Sequence, residues 1–229
     1  RIMFWVLGAG AEIGHLHVLS LLGVLGALAA VVGALLALSQ QDVKRMFAYG
    51  GISHIGLILI GVSQGNPTGF AGSMFYLIND AVMQAGLFFI AGAAIYRHQA
   101  HTVEEWSRLR GASPWMTAAL VVLGMSMIGI PPTGGFFGKW YIILGAMEAG
   151  NYLAVGAVVL ATLLTMAYFQ RLFVSVFRDS QASPSAVRVE TELSLRLSVG
   201  VTAVTIIILG LCSDPIISFF RTTASSVGL

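Results

Sequence analysis

Ionisable side chains are scarce in this chain, so the few that fall inside apolar stretches are the first candidates for chemistry. Asp80 lies between Asn79 and Ala81, with Tyr76 four residues before it and Gln84 four after. On a helix those three polar side chains share one face. Lys139 follows Pro131-Pro132-Thr133-Gly134-Gly135 by four residues, and His54 lies ten residues beyond Lys44. A carboxylate, an imidazole and two amines in apolar surroundings suit proton transfer. Burial disfavours a charged amine and a nearby carboxylate favours it, so a group balanced between the two takes up and releases a proton. Each residue also has a plainer role open to it. Asp80 could clamp two helices by a hydrogen bond, Lys139 could snorkel to an interface, and His54 could be a satisfied hydrogen-bonder. Lys44, beside Arg45 at a helix end, could be an anchor.

The elements that must position these residues follow from composition. Hydrophobic residues make up 57% of the 229, mean hydropathy is +0.86, and charged residues number 12 Lys+Arg and 10 Asp+Glu. A soluble domain of this length carries about 57 charged residues. Soluble globular, disordered and nucleic-acid-binding classes are thereby excluded. The single cysteine, Cys212, excludes a disulfide framework and a cysteine-based metal site. His98 and His101 lack further ligands nearby, and there is no phosphate-binding glycine loop or Ser/His/Asp spacing. No metal, no cofactor and no redox centre are expected. His17 and Glu148 read as groups at helix ends.

The sequence predicts an all-α, polytopic membrane protein. Helices are expected over His17–Gln40, Met46–Val62, Phe70–Tyr96, Pro114–Ile130, Phe136–Ala149, Tyr152–Phe173 and Leu193–Phe219. The first of these, without any charge, rises roughly 36 Å, enough to span a bilayer. Ser63-Gln64-Gly65-Asn66-Pro67 reads as a turn, and Arg178–Glu192 as a polar loop. Residues 1–7 read as the end of a preceding helix.

Pro131-Pro132-Thr133-Gly134-Gly135 must interrupt the helical pattern of 114–149, because proline lacks a backbone donor and glycine admits non-helical angles. One interrupted crossing puts Lys44, Arg45, Arg97, Arg108, Arg110, Arg171, Arg178 and Arg188 on one side and only Arg1 and Arg221 on the other. Two crossings would scatter them. Positive charge gathers on the cytoplasmic side, so a single broken crossing is expected, about six crossings in all. Irregular backbone at membrane depth is tolerated where it lines a hydrated cavity or is buried in protein, and a lysine beside it is costly unless paired.

Two stretches carry a family resemblance. Ala37-Leu38-Ser39-Gln40-Gln41-Asp42-Val43-Lys44-Arg45-Met46-Phe47-Ala48-Tyr49, followed by Ile52-Ser53-His54-Ile55-Gly56, resembles the signature of the antiporter-like subunits of respiratory complex I, Mrp-type sodium/proton antiporters and membrane-bound hydrogenases. Gly129-Ile130-Pro131-Pro132-Thr133-Gly134-Gly135-Phe136-Phe137-Gly138-Lys139 is similar to the family's second hallmark. The resemblance implies a fold of two inverted five-helix repeats, each with a broken helix. Residues 1–15 would end a preceding helix and loop, 16–178 would form the second repeat, and 179–229 a polar loop and closing helix. It implies proton or cation/proton translocation within a multisubunit membrane complex, without a redox site on this chain. The expected partners are other membrane subunits, the lipid bilayer, and protons, with sodium as the alternative coupling ion; nucleic acid is not among them. Lys139 matches the broken-helix lysine that carries protons, and Lys44 the lysine of the Asp-x-Lys-Arg motif. Asp80 and Gln84 stand where the family often has histidine and lysine, which is a departure. Two other readings remain: a non-conducting scaffold that docks partner subunits, and half of a split sodium/proton antiporter.

Overall fold

The computed structural model describes residues 12–13, 16–107, 109, 113–177 and 193–226. The expected helix end over residues 1–7, the polar loop 178–192, and Arg1, Arg108, Arg110, Arg178 and Arg188 lie outside the described residues. Glu12–Ile13 (β1) pairs antiparallel with Leu16–His17 (β2). Everything else of length is helical: α1 Val18–Ser39, α2 Val43–Ser63, α3 Pro67–His98, a 3-10 turn Glu104–Trp106, α4 Pro114–Ile128, α5 Gly134–Glu148, α6 Tyr152–Phe177, α7 Leu193–Leu211 and α8 Ser213–Ser226.

Local chemistry sets the helix starts. α2 begins at Val43, earlier than the apolar pattern suggests, because the Asp42 carboxylate accepts the Arg45 N–H at 2.9 Å and so satisfies a first-turn donor. Asn66 does the same for α3, accepting from Gly69 N at 2.7 Å, with Pro67 in the first turn. Small residues bring α1 and α2 together: a Cβ on Gly56 would overlap the backbone at Ala30 and Gly26. Ser53 Oγ donates to Ala30 O at 2.6 Å across that contact.

One end of the bundle is closed by chain rather than by helix. Val43 N donates to His101 O at 3.0 Å and Val103 N to Gln41 O at 2.9 Å. Arg171, near the end of α6, donates to Leu38 O at 2.8 Å and also to Gln40 O. Lys44, Arg45, Arg97 and Arg171 therefore gather at the same end.

The interrupted element crosses once. α4 and α5 have 15 residues each; at 1.5 Å per residue each reaches about 22 Å, short of a hydrocarbon core of roughly 30 Å. α4 lies beside the basic end, with Gly124 against Phe169 and Phe173 of α6 and Leu123 against Gly86 of α3. α5 continues to the opposite end, where Asn66 Nδ2 donates to Gly145 O at 2.7 Å. Together with five helices long and apolar enough to span, this makes the chain an all-α, integral multi-pass membrane protein.

The closing helix differs from expectation. Instead of one helix to Phe219, α7 ends at Leu211 and α8 starts at Ser213. Pro215 explains the interruption: it lacks an N–H and its ring clashes with the carbonyl four residues back, that of Leu211. The two pieces still run antiparallel to α3 as one path, with Thr202 beside Gly86 and Ile217 packed with Phe75 and Ala71.

The apolar core falls into two main clusters. One, toward the basic end, contains Phe47, Met83, Leu87, Trp106, Leu123, Met127 and Phe169. The other contains Leu57, Ile60, Tyr76, Ile142, Ala146 and Val158. Between them lies a buried polar layer with Ser53, His54, Asn79, Asp80, Ser126, Lys139 and Thr165.

Candidate functional site

Lys139 sits on α5, one turn past the interruption, and is 4% exposed. Its Nζ donates to Met127 O at 2.8 Å and Ile128 O at 3.2 Å. Those are carbonyls of the last turn of α4, which lack helical partners because the helix stops. The end of a helix also carries partial negative charge. The interruption thus makes the seat in which the lysine rests.

Gly129 ends α4 with φ +91°, a left-handed conformation open to glycine at little cost. Ser126 Oγ accepts from Gly135 N at 3.2 Å and from Asn79 Nδ2 at 3.3 Å, tying α3, α4 and α5 together. Thr133 Oγ1 donates to Ile130 O at 2.7 Å. Gly135 and Gly138 let α5 approach closely: a Cβ would overlap Ser126 O at the first and lie 2.7 Å from the Tyr76 ring at the second. Pro131 and Pro132 are joined by a cis peptide bond and are exposed.

The second part of the site is a buried pair. His54 Nδ1 and Asp80 Oδ1 are 2.7 Å apart, on α2 and α3. The Tyr76 ring lies edge-on to the imidazole with centroids 5.6 Å apart, and Lys139 Nζ is 5.9 Å from the same ring centroid. Tyr76 therefore stands between the pair and the lysine. Asp80 and His54 both lie within electrostatic reach of Lys139. His54 Nε2, Tyr76 Oη and Asn79 Oδ1 are buried and meet no hydrogen-bonding group among the described residues.

Such atoms in folded proteins are usually satisfied by ordered water. An imidazole, a carboxylate, a phenol and an amine so arranged can pass a proton along with water between them.

The structure brings Lys139, Asp80, His54, Tyr76 and Asn79 into one layer. Gln84 lies one turn from Asp80 toward the basic end, beside Gly51. Lys44 stands apart: it is exposed at the start of α2, about 15 Å along the helix from His54. Sequence reasoning missed Ser126 on α4 and Thr165 and Tyr168 on α6, and read Arg171 only as one of the basic residues that set the orientation. The α6 residues recur at helical spacing with Ser175, and that polar stripe in an apolar helix was the available signal. Among the described residues no three His, Cys, Asp or Glu side chains converge to hold a metal. Beside Lys139 a cavity of ≈ 180 Å³ runs outward, lined mainly by apolar groups including Ile128, Phe136, Trp140, Val159 and Leu163.

Residues 7–165 match the family described as NADH:quinone oxidoreductase/Mrp antiporter, TM. NADH-quinone oxidoreductase subunit N of Desulforudis audaxviator is 31% identical over 230 residues, covering 95% of this chain and 46% of the relative. A chain in the structure of respiratory complex I from Thermus thermophilus with bound NADH superposes with a TM-score of 0.76 at 27% identity, over 92% of this chain and 45% of that one. A chain of the Mrp complex from Dietzia shares the fold, with a TM-score of 0.79 at 22% identity over 92% of this chain and 47% of that one. The chain spans about half the length of these relatives.

Proposed function

Because this chain belongs to the NADH:quinone oxidoreductase/Mrp antiporter transmembrane family, we propose that it translocates protons, or exchanges a cation for protons, as a membrane subunit of a multisubunit complex. Residues 16–178 act as the second of two five-helix repeats, followed by a closing crossing. Other membrane subunits supply the driving reaction, and this chain needs no redox group of its own.

One observation carries the reading: a buried lysine seated on the carbonyls of a broken helix, beside a buried Asp80–His54 pair, with Tyr76 between them. The basic end, with Lys44, Arg45, Arg97 and Arg171, faces the cytoplasm. Protons reach the Asp80–His54 pair from that end, pass Tyr76 and its waters, and leave through Lys139 toward the other side. Lys44, at the mouth, connects to the pair only through water. Two charges about 8 Å apart at an effective dielectric near 20 interact by about 2 kcal/mol. That biases the position of a neighbouring proton more than tenfold, so occupancy at one station gates the next.

The test is proton uptake by everted membrane vesicles, comparing wild type with Lys139→Met at matched abundance of the assembled complex. Uptake is expected to vanish in the variant; an unchanged pH gradient would refute the role of Lys139. One observation favours the scaffold reading instead: the 2.7 Å Asp80–His54 contact is also what a helix clamp would make.

A further inference from the structure

A second group of buried polar atoms lies between the Asp80–His54 pair and the basic end. Tyr168 of α6 is fully buried, and its hydroxyl forms no hydrogen bond of good geometry among the described residues. The hydroxyl of Thr165, one turn before it, donates to Ala161 O at 2.8 Å, so toward Tyr168 it can only accept, and the phenol oxygen is left without a donor of its own. Both amide atoms of Gln84 on α3 and Nε of Arg171 on α6 are likewise buried and have no hydrogen-bond partner among the described residues. The Tyr168 and Gln84 atoms come from two helices and meet a third, α2. A Cβ on Gly50 of α2 would lie 2.8 Å from Tyr168 Oη, and a Cβ on Gly51 would lie 3.0 Å from Gln84 Nε2. His54 is one turn further along α2, and Asp80 lies within electrostatic reach of Tyr168. A buried polar atom without a partner is destabilising, and native proteins meet such atoms with ordered water. Two adjacent glycines let Tyr168 and Gln84 lie directly against α2, where an added side-chain carbon would displace them.

We infer that Tyr168 and Gln84, over Gly50 and Gly51, form a hydrated vestibule through which protons reach the Asp80–His54 pair from the basic end. This rests on the reading of Asp80 and Lys139 as proton carriers. The Tyr168 hydroxyl is the hand-over point. It takes a proton from a protonated water behind it while releasing its own toward the carboxylate ahead; that water returns to neutral, the carboxylate gains the proton, and the phenol keeps its charge and composition. Gln84 orders the same water from the α3 side. Arg171, one turn along α6, marks the outer mouth; its guanidinium is held there by Leu38 O and Gln40 O. The titratable groups within reach of the hydroxyl across the helices are Asp80 and Tyr76 of α3. α2 presents Gly50 and α4 presents Met127 at this point, and α1 carries no titratable side chain.

The experiment uses everted vesicles bearing the assembled complex, with external pH varied from acid to alkaline on the cytoplasmic face. Tyr168→Phe removes one oxygen and keeps the ring against Phe169. It is expected to slow uptake about three- to tenfold, the rate equivalent of one hydrogen bond. The deficit should widen as external pH rises and proton supply becomes limiting. Gln84→Leu should show the same pH-dependent deficit, and it decides the matter if Tyr168→Phe fails to assemble. Wild-type rate and pH profile in both variants, while Lys139→Met stops uptake, would overturn the vestibule and leave the proposed function standing. Normal uptake in Lys139→Met would overturn both.

Discussion

Asp80 and His54 meet at 2.7 Å with almost no exposure, and a relay and a clamp demand different things of that contact. An amide can keep a hydrogen bond to the imidazole but cannot carry the proton. Asp80→Asn is therefore expected to leave assembly intact and to lower uptake at least about tenfold, the scale of general acid–base assistance or less. Uptake at the wild-type rate, measured with the same vesicles, would make the contact a clamp. At this scale the sequence was informative about types and partly about neighbours. The stripe of Tyr76, Asp80 and Gln84 exists as the spacing predicts, but it serves two neighbourhoods: Tyr76 faces Lys139 and Gln84 faces Gly51. Spacing along one helix states which side chains share a face, not which helix covers each turn. Lys44 shows the same limit, since its motif is legible and its exposure is not.

At the scale of elements, the broken helix was legible because two prolines and two glycines leave the backbone few alternatives. Its packing follows from the same residues. A Cβ on Gly135 would overlap Ser126 O, a backbone atom that cannot rotate away. Gly135→Ala is expected to destabilise the subunit by about 1–3 kcal/mol, the usual cost of overpacking. A lowered thermal midpoint and reduced uptake would be the sign. Gly156→Ala, where nothing lies within 4 Å of the added carbon, should behave as wild type. Equal midpoints in the two variants would show that the tight approach of α5 to α4 is dispensable. The interruption between α7 and α8 was harder to read. Asp214-Pro215 looks like the end of a crossing, and only the contacts of Ile217 with Phe75 and Ala71 show the path continuing. Tyr168 is harder to read for a related reason: its spacing with Thr165, Arg171 and Ser175 marks a polar stripe on α6, but spacing along one helix does not say which helix covers that stripe.

Among the described residues, two main apolar blocks enclose a thin buried polar layer. Such a layer would short-circuit the membrane if every station were always connected. The seat of Lys139 bears on this. Its amino group is held by two α4 carbonyls, and leaving them strands both. Losing such bonds in a buried setting costs about 1–3 kcal/mol, a roughly 5- to 150-fold bias in position. The lysine thus has a parked position, and departure from it must be driven. Gly129→Ala puts a carbon 3.2 Å from Lys139 Cδ at a backbone angle that favours glycine, and so disturbs the parking place without touching the amine. Vesicles holding the idle variant complex should lose an imposed pH gradient faster than wild type, and equal decay would deny the seat any such effect. On the proposed function, a break in a helix then works as a ratchet's pawl: a gradient would be held at rest because one side chain has somewhere better to be.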